Sequence, residues 1–256
     1  MFPSYSQLLI ICPLIFIGSV IDAIGGGGGL ITLPAYLIAG FPVHFAIGTN
    51  KVSASMGTFT ALMKFMRNGY MPLKLSVCGI IFALTGSSLG AHTALLISDY
   101  VFKILMLFIL PVTAWYVFKS QDLLREERDV KDEINSRTYI VCILVALGVG
   151  FYDGFYGPGA GTFMLLFMAG AAKLSVQKAN GVTKAINFTT GISALAVYLL
   201  NGKVNLPVGI IAGLFGIAGN YIGAKFFEKG GSKIVRPVIL IVLLLFFVRV
   251  IYDLLF

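Results

Sequence analysis

The sequence predicts an all-α polytopic membrane protein made of two inverted-topology repeats, five hydrophobic segments each, with glycine-broken or re-entrant helices. Three observations predict it. The 256 residues are 58% hydrophobic and 12% charged, with a mean hydropathy of +0.93. A soluble domain of this length cannot hide that much apolar surface. The apolar residues also fall in runs, many long enough to cross a hydrocarbon core about 30 Å thick. Finally, two stretches look like copies of each other: Asp22, the glycines 25–29 and Lys51 in the first, and Asp153, Gly157-Pro158-Gly159-Ala160-Gly161 and Lys184 in the second.

Taken in order, the apolar segments are 7–24, 29–40, 45–66, 73–95, 99–118, 138–156, 161–172, 178–200, 205–227 and 234–256. The second and seventh hold only about 12 residues, some 18 Å of helix, so each stops part-way across or spans poorly. Segment 7–24 does not read as a cleavable signal peptide, because no positive charge precedes it and no small-x-small site follows. Residues 119–137 mix both charge signs densely and read as a solvated loop or surface helix. They divide the chain into an N-terminal membrane repeat (1–118), a cytoplasmic linker (119–137) and a C-terminal inverted repeat (138–256). The repeat shows as a constant offset: 184 − 51 = 133 for the lysines, and the same for Asn68-Gly69 with Asn201-Gly202, Gly86 with Gly219, and Gly90-Ala91 with Gly223-Ala224. The acids are offset by 131, a two-residue length difference before the lysine.

Basic residues set the orientation. If every segment reverses sides, short ones included, one face collects Lys64, Arg67, Lys74, Lys119, Arg125, Arg128, Lys131, Arg137, Lys173, Lys178, Lys225, Lys229, Lys233 and Arg236, and the other only Lys103, Lys203 and Arg249. That bias of 14 against 3 places both termini outside. Merging each short segment with its predecessor would turn the loop of Lys225, Lys229, Lys233 and Arg236 outward, which disfavours that topology. Five passes per half then make the repeats inverted, an arrangement that recurs in secondary transporters. The net charge of +8 is thus spent on membrane orientation, and no nucleic-acid partner is expected.

Glycine and proline weaken helices, so both glycine-rich runs should interrupt them. Irregular backbone at membrane depth survives where it is buried in protein or lines a polar cavity. The segments that follow begin with free N–H groups and a positive dipole end, which suit an anion. Close packing at small residues is the alternative use of such glycines. Ionisable groups cost about 2.5–3.5 kcal/mol each in mid-membrane, which makes Asp22, Lys51, Asp153 and Lys184 functional candidates. The lysines either snorkel to the interface or place positive charge beside an anion site. The candidate binding set is Gly26, Gly27, Gly28, Gly29, Thr49, Asn50, Lys51, Gly157, Gly159, Gly161, Thr183, Lys184 and Asn187. Asp22 and Asp153 either pair with the lysines or take up a proton or cation for coupling, and a carboxylate that releases its lysine when protonated would do both.

His44 and His92 read as interfacial residues, Trp115 and Tyr116 as belt aromatics, and Arg249 as a snorkelling side chain. Cys12, Cys78 and Cys142 lie in apolar runs without metal-ligand spacing, so no metal or cofactor is expected. No Gly-Lys-Ser/Thr follows the glycines, which excludes a phosphate-binding loop, and active transport would draw on an ion gradient. The patterns of intramembrane aspartyl and serine proteases are also missing, and no catalytic residue is assigned.

The residues resemble the TauE/SafE group, also called the sulfite exporter or 4-toluene sulfonate uptake family. The resemblance is carried by Gly25–Gly29 with Leu30-Ile31-Thr32-Leu33-Pro34, Gly48-Thr49-Asn50-Lys51, Gly157–Gly161, Gly181-Val182-Thr183-Lys184 and the two Gly-x-x-x-Gly-Ala endings, and spans nearly the whole chain. One departure is Asn50-Lys51 after the Gly-Thr step, where the family often has a small polar residue. The resemblance implies transport of a small sulfur-containing anion such as sulfite, sulfoacetate or another organosulfonate, in either direction. A multi-pass protein of a prokaryotic plasma membrane is expected, with the anion and the lipid bilayer as partners and homo-oligomerisation left open. An anion channel, or a carrier of another carboxylate or oxyanion, is the competing class.

Overall fold

The computed structural model describes residues 4–120 and 134–228, and all regular structure among them is helical. The elements are α1 (Tyr5–Gly25), α2 (Gly29–Ile38), α3 (Val43–Arg67), α4 (Leu73–Leu95), α5 (Asp99–Ser120), α6 (Ser136–Phe155), α7 (Ala160–Gly170), α8 (Val176–Leu200) and α9 (Leu206–Glu228). These match the apolar runs to within about two residues. The tenth segment, Arg249 and most of the charged linker lie outside the described residues, as does the Tyr116 side chain.

α1, α4, α6 and α9 are long and apolar enough to cross a membrane. Their outer faces leave large apolar side chains exposed, such as Leu73, Val77, Ile81 and Leu84 on α4. Spaced three or four residues apart, these form one stripe that suits lipid. α3 and α8 are equally long but less apolar, because they lie at the centre and turn polar residues inward: Thr49, Lys51, Ser53, Ser55 and Thr58 on α3, and Asn180, Thr183, Lys184, Thr189 and Thr190 on α8 are all buried. α2 is short and buried from Leu30 to Leu37.

Contacts fix the helix directions. α2 runs back along α1: Gly18 of α1 packs against Ile31 and Thr32, and the Gln7 side chain near the start of α1 donates to Ala39 O at 3.2 Å. α7 returns along α6 in the same way, with Thr138 Oγ1 donating to Ala172 O at 3.5 Å. α3 and α8 are antiparallel, since Gly48 faces Tyr198 and Lys203 while Gly191 faces Ser55. α9 runs parallel to α1 and α3, and α4 parallel to α6 and α8. α3 and α8 both end at a glycine of positive φ, Gly69 and Gly202, where Tyr70 N bonds Phe65 O and Lys203 N bonds Tyr198 O. This is the six-residue closure typical of glycine-terminated helices.

The Gly-x-x-x-Gly-Ala endings are packing surfaces. A Cβ on Gly86 or Gly90 would strike α6 backbone at Leu147 or Phe151, and one on Gly219 or Gly223 would strike α1 backbone at Phe16 or Val20. Removing the side chain lets the backbones approach to van der Waals distance. By these directions Lys64, Arg67, Lys74, Arg137, Lys173, Lys178 and Lys225 gather at one end of the bundle, where α3 ends and α4, α6 and α8 begin, and Lys103 and Lys203 at the other.

Candidate functional site

Both glycine runs break their helices. α1 ends at Gly25 and α2 begins at Gly29, with Gly26 and Gly27 at φ +72° and +81°. α6 ends at Phe155 and α7 begins at Ala160, with Gly157 and Gly159 at φ +102° and +85°. These left-handed conformations need glycine. The two turns meet: Thr162 Oγ1 donates to Gly25 O at 3.0 Å, Gly26 packs on Gly161 and Thr162, and Gly29 packs on Pro158. The first N–H groups of a helix have no acceptor within it; here those of Leu30, Ile31 and Ala160 are taken by Gly27, Gly28 and Gly157 O within the turns, and α2 and α7 bring their positive dipole ends to this meeting point.

The ionisable residues cross between the halves. Lys51 Nζ lies 3.0 Å from Asp153 Oδ1 and donates to Asp153 O at 2.6 Å. Lys184 Nζ lies 2.9 Å from Asp22 Oδ2 and also donates to Asp22 O. Each lysine therefore sits on the carboxyl end of a broken helix, where the dipole favours a cation; Asp22 O accepts from Gly26 N as well, at 2.9 Å. The Lys51 and Lys184 side chains are only 6% and 0% exposed, so neither snorkels to an interface.

A cavity lies at this junction. Its wall contains Asp22, Gly27, Gly28, Gly29, Asn50, Lys51, Asp153, Gly157, Gly159, Gly161 and Asn187 from the residues singled out in the sequence. Gly26 is taken up by the turn-to-turn contact, and Lys184 stands behind Asp22 rather than on the wall. Thr49 accepts a hydrogen bond from Asn205 N at 2.9 Å, at the start of α9, and so serves a turn. Thr183 Oγ1 is buried without a partner.

The sequence reading missed Ser19, Thr32, Ser53, Ser55, Thr58 and Asn220, which also line the cavity. Helical spacing carried part of the signal: Ser19 and Asp22 on α1, and Lys51, Ser55 and Thr58 on α3, recur at three- and four-residue intervals on one face. Asn220, a lone amide in an apolar run and 2% exposed, was itself a signal. Four cavity oxygens are buried without a partner: Asn50 Oδ1, Ser55 Oγ, Asp153 Oδ2 and Asn220 Oδ1. Among the described residues no group of histidine, cysteine or acidic side chains could hold a metal ion.

At the bundle end opposite most of the lysines, His44 is buried rather than interfacial. Nδ1 meets Asp99 Oδ1 and Nε2 meets Ala94 O at 3.0 Å, which ties the starts of α3 and α5 to the end of α4. His92 is exposed and bonds back to Ser88 O.

Comparison with known proteins agrees with this architecture. The pattern described as "Sulfite exporter TauE/SafE" matches residues 11–250. The chain belongs to the TauE/SafE family. It is 33% identical to a probable membrane transporter of Sinorhizobium over 93% of this chain and 90% of that one. It is 34% identical to one from Haemophilus influenzae, covering 93% and 92%, and 30% identical to one from Escherichia coli, covering 98% and 94%. No solved structure matches the chain. A membrane-transport role is thereby shared with these relatives.

Proposed function

We propose that the chain is a secondary transporter that moves a small sulfur-containing anion (sulfite, sulfoacetate or a related organosulfonate) across the plasma membrane. Its two halves, divided at the 119–137 linker, would act as inverted repeats that alternate access to the central cavity. The observation that carries this reading is the meeting of two glycine turns, two helix N-termini and Lys51 on one cavity wall. Backbone N–H groups and an ammonium match the oxygens of a sulfonate or sulfite. The antiparallel run of α3 and α8 and the matching returns of α2 and α7 support the inversion. The lysine-rich bundle end would face the cytoplasm and the start of α1 the outside.

Binding of sulfite, thiosulfate, sulfate, taurine and sulfoacetate to the purified protein tests the anion class. Counterflow in proteoliposomes separates carrier from channel. Saturable exchange is expected, and large single-channel currents would argue for a channel instead. Failure of every anion to bind would remove the reading.

A further inference from the structure

The charges at the cavity do not leave room for a bare anion. Among the described residues its ionisable wall is Asp22, Lys51 and Asp153, with Lys184 directly behind Asp22. The formal sum is zero, and each ammonium already faces a carboxylate. An anion brought into such a buried site meets no uncompensated positive charge.

The two acids are not equivalent. Asp22 is held by Lys184 at Oδ2, and its side chain keeps 17% exposure toward the cavity it lines. Asp153 is 7% exposed; Oδ1 is held by Lys51, while Oδ2 is buried with no donor at all. Oδ2 is thus the one position of this pair that can take a proton without displacing Lys51. The charged and titratable groups near Asp153 are few. Lys51 comes from α3, Tyr152 from α6 itself and Tyr198 from α8. From α4, the exposed His92 bonds to its own helix. α7 brings no titratable side chain, and α5 reaches the region through the Thr113 hydroxyl on Tyr152.

We propose that Asp153 is the proton-carrying residue of this transporter, taking one proton at Oδ2 for each anion bound. This rests on the anion-transport reading above. The new O–H bond at Oδ2 takes Asp153 from −1 to 0, and Lys51 keeps all three of its protons. The Lys51 ammonium is then uncompensated on the cavity wall, beside Gly157, whose Cβ position would lie 3.4 Å from Nζ. The anion takes the place of the carboxylate charge. Release on the far side lets the Oδ2 proton leave to that side and the Lys51–Asp153 pair reform. Lys184 and Asp22 stay paired throughout and hold α1 to α8.

The sign follows from linkage. Protonation precedes or accompanies anion binding, so affinity rises as pH falls and weakens as pH rises, by up to about tenfold per pH unit where one proton is taken up with each anion. Methanesulfonate and isethionate are the probes, since each carries one negative charge and neither changes charge near neutral pH. Proton uptake on binding, read by calorimetry in two buffers of different ionisation enthalpy, is expected to approach one per anion in that range. Asp153→Asn, a neutral mimic of the protonated acid, is expected to bind the probe with a flat pH profile and to lose pH-gradient-driven uptake while keeping counterflow. Asp22→Asn combined with Lys184→Met, which keeps the formal sum at zero, is expected to retain the slope. Probe binding without proton uptake, a slope that survives in Asp153→Asn, or a slope abolished by that double variant would each overturn the assignment while leaving the anion site in place. Absence of binding of either probe at any pH would overturn both. The wild-type proton count decides the matter if Asp153→Asn does not fold.

Discussion

Lys51–Asp153 and Lys184–Asp22 are the same device built twice, and the differences between them carry the information. In both, a lysine eight positions into a central helix reaches the last turn of a broken helix in the other half and binds its carboxylate and carbonyl. At the first pair the lysine itself lines the cavity and the acid keeps an unpartnered oxygen. At the second the lysine is fully buried and the acid faces the cavity. Similar placement on a central helix thus yields one pair whose cation lines the cavity and one whose cation does not. A buried pair contributes little net stability against an apolar replacement, but breaking one leaves a buried charge. The comparison can therefore be tested by removing whole pairs and single partners separately.

The largest difference is expected between two double variants. Lys51→Met with Asp153→Asn removes both charges, so the protein should fold, yet anion binding should weaken by about 100-fold, the worth of losing charged hydrogen bonds of about 3 kcal/mol. Asp22→Asn with Lys184→Met should bind within about fivefold of the unaltered protein, a difference of about 1 kcal/mol. Binding assays on both purified variants check this, and equal losses would erase the distinction. Arg67 and Lys74, both exposed at the lysine-rich bundle end, are the solvated controls.

Next in size is the single variant Lys184→Met. It strands the Asp22 carboxylate, and thermal unfolding in detergent should show a loss of about 3 kcal/mol. Adding Asp22→Asn should return much of it. A single variant as stable as the double would mean that Lys184 does not hold α1.

Much of this was legible in the sequence because membrane insertion writes plainly. Helix positions followed from apolar runs, and the breaks at Gly25–Gly29 and Gly157–Gly161 followed from residues that cannot hold a helix. The pairing across halves was less legible. Lys51 could reach Asp22 or Asp153 with equal plausibility, and only the antiparallel run of α3 and α8 decides it. Thr49 and Thr183 show the limit of motif reading: they flank the lysines in sequence, yet helical geometry turns each away from the wall that Lys51, Ser55 and Thr58 share. Asn220 was legible only as a lone amide in an apolar run; its place on the wall depends on α9 packing against α3 beside Gly57.

Within the glycine run, the five positions are not interchangeable. Gly25 has open space around its Cβ position and an ordinary φ, so Gly25→Ala should be tolerated to within about 0.5 kcal/mol. Gly26 has φ +72° and abuts the backbone of Gly161 and Thr162, so Gly26→Ala should cost about 1–3 kcal/mol and loosen the contact between the turns. Unfolding midpoints of the two variants measure the difference. Equal midpoints would show that the turns do not depend on their mutual contact.

The smallest effect probes whether the twofold relation reaches the cavity wall. Ala54 and Asn187 are offset by 133 (187 − 54), and both line the cavity, but only one carries an amide. Asn187→Ala removes one neutral hydrogen-bonding group, worth about 1 kcal/mol or fivefold in affinity. If the halves present equivalent walls to one central ligand, adding Ala54→Asn to that variant places the amide at the mirrored position and should recover part of the loss. Recovery, measured as the ratio of dissociation constants between the single and double variants, would carry the sequence repeat through to the ligand. Without recovery, the ligand sits off the symmetry axis, on the Asn187 side of the cavity.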